Sequence, residues 1–103
     1  MLIKGVDVDV EMKEAIPPDT LYHGTATRFL GAIKTEGITA KSRLHVHLSK
    51  DKETAMNVGK RHGTPVVLTI NAAKMQADGF TFFLSENGVW LVKTVPLEYI
   101  WQF

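Results

Sequence analysis

Cysteine is missing from all 103 residues. That excludes disulfides and thiolate metal sites and fits a reducing compartment. Long apolar runs are missing as well: nothing approaches the roughly 18 residues that span a bilayer, and the opening Met1-Leu2-Ile3-Lys4 runs into acidic residues rather than an apolar signal core. A cytoplasmic protein with no membrane partner is expected. An excess of one charge is lacking, with 12 Lys+Arg against 11 Asp+Glu for a net +1. A general nucleic-acid binder carries a strongly basic face, so any RNA contact here must be local. There are no repeats, no low-complexity tracts and no Gly-rich phosphate loop of the P-loop or dinucleotide type, so a bound nucleotide must be held some other way.

What is present suffices for one domain: a chain that is 45% hydrophobic and 9% aromatic should bury well over half the unfolded surface. Val6, Val8 and Val10 alternate with acidic residues, the period of a half-buried strand within residues 1–16, and Pro17-Pro18 breaks it. Residues 1–18 therefore read as an N-terminal strand and Pro-Pro linker, and residues 19–103 as the main lobe. A strand over Thr20 to His23 leads to a helix ending near Glu36, with Thr25 or Thr27 as its cap and Gly37 as its left-handed stop. Leu44 to Leu48 reads as a strand with His45 and His47 on one face. Ser49 or Asp51 caps a helix from Lys52 to about Arg61. Val66 to Ile70 is β-branched and nearly all apolar, the pattern of a central strand buried on both faces. Ala72 to Ala77 offers one or two helical turns. Phe80 to Leu84 and Val89 to Val95 flank Asn87-Gly88 as a hairpin, and Tyr99 to Phe103 reads as a last strand. Six or seven short strands with two good helices make an α+β arrangement rather than a doubly wound one.

All four histidines fall between His23 and His62, in Leu21-Tyr22-His23-Gly24-Thr25, His45-Val46-His47-Leu48-Ser49 and Gly59-Lys60-Arg61-His62-Gly63. Imidazole donates, accepts and stacks, so the clustering suits a ligand rich in hydroxyls, rings or phosphates. Gly24 would let backbone approach such a ligand closely, while His23 and Thr25 reach ribose hydroxyls. A plain strand-to-helix turn with an incidental histidine accounts for the same tripeptide. His45 and His47 have a spacing that can serve a metal, but no further ligand follows a familiar metal pattern, so no metal is expected. Arg61 sits at a helix C-terminus, where the dipole favours a cation; the alternative is a guanidinium fork gripping a phosphate. The basic run Lys50, Lys52, Lys60, Arg61 and His62, with Lys41 and Arg43 ahead of it, is either a solvated helix face or a phosphate-facing patch.

Taken as an ordered set, Leu21-Tyr22-His23-Gly24-Thr25-Ala26, His45-Val46-His47-Leu48-Ser49, the Val58-to-Gly63 helix end, Pro65 to Ile70, Asn87 to Leu91 and Val95 to Ile100 resemble the NAD-dependent RNA 2'-phosphotransferase family. The resemblance runs from about Ile3 to Phe103. It implies an ADP-ribosyltransferase-like split β-sandwich with NAD clamped between the sheets. It also implies a reaction in which an internal RNA 2'-phosphate attacks the ribose of NAD and expels nicotinamide, ending in 2'-hydroxyl RNA and ADP-ribose 1'',2''-cyclic phosphate. By resemblance Tyr22, His23, Gly24, Thr25, His47, Ser49 and Val89 hold NAD, with Val89 or else Gly88 where other transferases of the fold carry a glutamate. Arg61 is the catalytic arginine on the phosphate. Family enzymes also have an N-terminal winged-helix-like lobe with an Arg-His pair and another arginine. This chain, with arginines at positions 28, 43 and 61 only, is expected to be a monomer that begins after that lobe and is inactive without it. The competing readings are a stand-alone ADP-ribosyltransferase acting on a nucleic-acid terminal phosphate or protein, and a non-catalytic NAD or ADP-ribose module.

Overall fold

Glycine and alanine decide how the central helix of this protein lies on one of its two seven-residue strands. The computed structural model describes residues 12–40 and 43–101. Strand β2 (Thr20–Ala26) pairs antiparallel with β5 (Pro65–Asn71) over seven positions, from Thr20↔Asn71 to Ala26↔Pro65. Helix α2 (Lys52–Lys60) packs across both strands. Its inward face carries Ala55 and Gly59, one helical turn apart and both buried. Gly24 lies directly beneath them. A Cβ on Gly24 would collide with the Ala55 carbonyl, and one on Gly59 would come within 2.5 Å of the Thr25 carbonyl oxygen. Both partners are backbone, so neither can swing aside.

A second, four-stranded sheet has the order β1-β6-β7-β4, with all pairs antiparallel. Its strands are β1 (Met12–Glu14), β4 (Val46–Leu48), β6 (Phe82–Ser85) and β7 (Trp90–Val92). A short pair joins β3 (Ile38–Thr39) to β8 (Thr94–Val95). The two larger sheets meet at one bridge, where Tyr22 and Ser49 exchange backbone hydrogen bonds of 2.8 Å in each direction. Helix α1 (Leu30–Glu36) follows a 3₁₀ turn over Thr27–Phe29, and α3 (Ala72–Ala77) follows β5 directly. Between the layers lie Leu21, Leu48, Leu68, Ile70, Met75, Phe82, Val92 and Val95, all fully buried. Each such side chain contributes about 2 kcal/mol of burial free energy. The result is a single α+β domain of mixed antiparallel sheets. No helix among the described residues is long and apolar enough to cross a membrane.

Several sequence expectations hold. Asp51 is the cap of α2, its Oδ1 accepting the Thr54 amide at 2.8 Å. Gly37 closes α1 at φ +75°. Asn87-Gly88 turns the β6–β7 hairpin with Gly88 at φ +84°. Others are corrected. Strand β2 runs on through Ala26, so Thr25 pairs with Val66 instead of capping a helix. Thr27 does not cap either: its amide donates to the Thr64 carbonyl, and the 3₁₀ turn begins without a side-chain cap. Val66 to Ile70 does not form a central strand, because β5 has β2 alone as a full partner and meets only an isolated bridge at Ile70↔Ile100 on its other side. Its apolar character comes instead from α2 on one face and the core on the other. The expected last strand is a 3₁₀ turn over Leu97–Tyr99 followed by that bridge. Strand β4 starts at Val46 rather than Leu44. The described residues contain eight short strands and three α-helices. The Val6-Val8-Val10 strand lies outside the described residues, as do Gln102 and Phe103.

The helix-on-strand contact makes a sharp comparison. Gly24→Ala should lower stability by about 3 kcal/mol through overpacking that no rotamer relieves, a fall in Tm of more than about 10 °C. Gly31→Ala, on the exposed face of α1 with nothing near its Cβ direction, should raise stability by about 0.5–1 kcal/mol. Thermal and urea unfolding of the two variants beside the parent checks both signs.

Candidate functional site

Where β2 and β4 come together at the Tyr22–Ser49 bridge, the sheets diverge and leave a cleft of about 530 Å³, well within the size of small-molecule sites. Alternation along β2 sends Leu21, His23 and Thr25 to one side, with Tyr22 and Gly24 toward α2. His23, Gly24 and Thr25 line the cleft from this strand. His47 lines it from β4 and Ser49 from just after that strand, Arg61 from the end of α2, and Val89 from the hairpin. Residues far apart in the chain thus converge on one hollow.

Each is held by local structure. Val89 is fixed by the Ser85 hydroxyl, which accepts its amide at 3.0 Å and donates to Asn87 Oδ1 at 2.6 Å. Gly88 is exposed at the turn and is not among the lining residues. Arg61 caps α2, its amide donating to the Val58 carbonyl at 3.1 Å while its side chain is exposed. Tyr22 does not line the cleft. Its backbone makes the bridge, and its ring lies beneath Lys52, whose Nζ is 5.8 Å from the centroid. Gly24 is buried under Ala55, so its missing side chain is demanded by the helix as well as open to a ligand.

His23 is the most constrained of the set. Its Nδ1 is 3.1 Å from the His47 backbone carbonyl, which can only accept, so Nδ1 carries the proton. In the neutral ring Nε2 is then a bare acceptor. Burial holds this imidazole below its usual pKa, overcoming the carbonyl hydrogen bond that favours the charged form; His47 and His62 push it down further. His23 is therefore neutral at pH 7, with Nε2 able to accept a hydrogen bond.

Sequence reasoning left some of the cleft unassigned. Arg43 lines it, with Nη1 3.0 Å from His47 Nδ1, although the sequence placed this arginine only in a basic run. Its position four residues before His47, in the approach to the same strand, was the available signal. His45 and His62 also line the cleft. The His45 ring meets Phe83 edge-on at 5.7 Å, and His62 meets Phe29 at 6.4 Å. Phe29 in turn lies under the Arg28 guanidinium at 4.7 Å. Two arginines against the single acid Glu36 give the lining an anion-attracting balance. No group of three His, Cys, Asp or Glu side chains that could hold a metal occurs among the described residues.

A small α+β domain with a histidine- and arginine-lined cleft at the seam of two sheets is the class that this geometry defines. The family described as RNA 2'-phosphotransferase, Tpt1 / KptA family, matches residues 3–94, and the chain belongs to it. Similar proteins include the "Probable RNA 2'-phosphotransferase" of Acaryochloris marina, 55% identical over 95 residues, 92% of this chain and 52% of that protein. The protein of the same description from Pectobacterium atrosepticum is 52% identical over 93 residues, 90% of this chain and 52% of its own length. That from Pseudomonas savastanoi pv. phaseolicola is 56% identical over 93 residues, 90% and 50%. The chain spans about half the length of the curated relatives it matches.

The depressed pKa of His23 has a sign. Below about pH 6.5 the unfolded chain takes up a proton at this position that the folded chain resists. Stability is therefore fully present above that value and is lost as pH falls toward the lower folded pKa. Urea unfolding at about pH 7.5 and about pH 5 should show this loss in the parent and a smaller one in His23→Gln. Equal losses in the two proteins would contradict the assignment.

Proposed function

We propose that this chain is the NAD-binding lobe of an RNA 2'-phosphotransferase, with residues 19–103 forming an ADP-ribosyltransferase-like split β-sandwich. The observation that carries the reading is the convergence of His23, Thr25, His47, Ser49, Arg61 and Val89 on one cleft in a chain that belongs to this family. NAD is a co-substrate. An oxygen of an internal RNA 2'-phosphate bonds to C1 of its ribose as the bond to nicotinamide breaks. The neighbouring ribose hydroxyl oxygen then bonds to phosphorus, and the RNA 2'-oxygen leaves and takes up a proton. RNA with a 2'-hydroxyl, nicotinamide and ADP-ribose 1'',2''-cyclic phosphate result.

The residues divide the work by their chemistry. His23 Nε2, bare because Nδ1 is committed to the His47 carbonyl, accepts from a ribose hydroxyl. Thr25 adds a second hydroxyl contact from the same strand face, and the β2 backbone offers polar groups to the carboxamide. The His47 imidazole, half-buried on β4, presents a flat ring to nicotinamide, with Ser49 beyond it. Arg61 grips the phosphate bidentately and offsets charge that builds in both steps. Val89 contributes an apolar wall instead of a carboxylate. A phosphate dianion is already a competent nucleophile and would be repelled by a second anion there. Further phosphate-binding cations from an upstream lobe, each contact worth roughly 1.5–3 kcal/mol, complete the RNA side in this reading.

Titration with NAD or ADP-ribose should shift the amide resonances of residues 22–25, 45–49 and 89 more than those of residues 72–78. Unlocalised or absent shifts at millimolar ligand would defeat the NAD reading. Arg61→Ala should leave NAD affinity within about threefold, a cost under about 1 kcal/mol. In a protein that carries the upstream lobe, fused or supplied in trans, the same change should abolish 2'-phosphate removal. Undiminished removal by the variant would refute the role given to Arg61.

A further inference from the structure

The chain has three asparagines, and one of them precedes a glycine. Asn57 is followed by Val58 inside α2; Asn71 is followed by Ala72, and its Oδ1 accepts the Lys74 amide at 3.3 Å as the cap of α3. Asn87 is followed by Gly88 at the exposed tip of the β6–β7 hairpin. An asparagine amide is open to attack by the backbone nitrogen of the next residue, and a side chain on that residue is the chief obstacle. Gly88 has none, and nothing lies within 4 Å of its Cβ direction. The amide is also held in place. The Ser85 hydroxyl donates to Asn87 Oδ1 at 2.6 Å and accepts the Val89 amide at 3.0 Å, so the Asn87 side chain is folded back over the turn. That donor is aimed at the oxygen on which negative charge builds during attack. One bond opposes the reaction: the Gly88 amide donates to the Ser85 carbonyl at 3.0 Å. At an exposed turn water replaces this partner, and the loss slows attack by about tenfold at most.

Asp78-Gly79 offers the contrast. Gly79 is equally open, and its amide makes the same kind of bond, to the Gln76 carbonyl at 3.1 Å. The group beside it, however, is a carboxyl that Tyr99 and Lys74 hold in its anionic form, and a carboxylate carbon is a poor electrophile.

We propose that Asn87-Gly88 is a modification site at which the folded chain deamidates, turning position 87 into a mixture of aspartate and isoaspartate beside Val89. The Gly88 nitrogen gives its proton to hydroxide and bonds to Asn87 Cγ as the Cγ–Nδ2 bond breaks. The side-chain nitrogen takes a proton from water and leaves as ammonia. Water then opens the five-membered succinimide at one of its two carbonyls. Opening at Cγ gives aspartate on an ordinary backbone. Opening at the main-chain carbonyl gives isoaspartate, whose backbone runs through Cγ and is one methylene longer. The two products differ in what they do to the turn. Aspartate keeps an acceptor for the Ser85 hydroxyl. Isoaspartate lengthens a loop closed by the Ser85 amide on the Val89 carbonyl at 2.9 Å and by the Val89 amide on the Ser85 hydroxyl, and the two bonds no longer fit together. Val89 is thereby drawn from its place in the cleft wall.

The test is peptide mass analysis of the ligand-free chain aged in the folded state at mildly alkaline pH. Trypsin separates the three asparagines into peptides 53–60, 62–74 and 75–93. The mass gain of an amide becoming an acid should appear in 75–93, with fragmentation placing it at Asn87. Its rate should lie within about tenfold of that in chain unfolded by guanidinium chloride, and the other two peptides should lag by at least about tenfold. An isoaspartyl methyltransferase, which marks isoaspartate alone, should label position 87 and leave position 78 unlabelled. Asn87→Gln, whose longer side chain would have to close a larger ring, should lose both signals. A second Val89 amide resonance should grow with the isoaspartate fraction, while Asn87→Asp keeps the parental one. Conversion in the folded chain that falls more than about tenfold behind the unfolded chain would mean that the turn guards Asn87 and would overturn the proposal. So would equal gains at Asn57 or Asn71, labelling at position 78 as strong as at 87, or a Val89 resonance that isoaspartate leaves unmoved.

Discussion

The arrangement depends on one close approach, the backbone of β2 at Gly24 lying flush against the backbone of α2 at Ala55 and Gly59. No side chain separates the two elements, so neither can slide or tilt without a backbone collision. Two placements follow. The C-terminal end of α2, carrying Arg61, is delivered to the cleft mouth, and the opposite face of β2 is left free to present His23 and Thr25. The cleft is what remains when β2 is pinned to a helix on one side and bridged to β4 at only one point on the other.

The chemistry of the lining follows from hydrogen bonds that commit one side of a residue and free the other. His23 gives its proton to a backbone carbonyl and so faces the cleft as an acceptor. Asn87 and Ser85 tie down the hairpin turn and leave Val89 as an apolar surface. Outside the cleft lining, Tyr99 donates to Asp78 Oδ2 at 2.7 Å, beside Lys74 at 3.3 Å. That bond raises the tyrosine pKa to about 12 and lowers that of the carboxyl. It fastens the end of α3 to the final 3₁₀ turn and leaves the cleft untouched.

Much of the cleft was legible in the chain because local rules decide it. The Asp51 cap, the Asn87-Gly88 turn and the strand alternation around His47 each depend on a few neighbouring residues, and all three stand. What was not legible depends on partners distant in sequence. Gly24 reads as room for a ligand, yet Ala55 is what its missing Cβ admits. The apolar run of β5 reads as a central strand, but a helix rather than a second neighbouring strand covers it. Thr25 and Thr27 have the right chemistry for a cap, but pairing with β5 and with Thr64 claims their backbones first. Arg43 looked like one more cation in a basic run. Only the fold shows that its Nη1 comes within 3.0 Å of His47 Nδ1.

The central claim is that this cleft takes the nicotinamide riboside end of NAD between β2 and β4. The most direct measurement is a crystal structure of the chain soaked or grown with NAD or ADP-ribose. The account predicts a ribose hydroxyl on His23 Nε2, the nicotinamide end beside His47 and a wall of contact at Val89, with the Gly24–Ala55 packing unchanged. A dinucleotide bound elsewhere on the surface, or one seated in the cleft with its ribose turned away from His23, would contradict it.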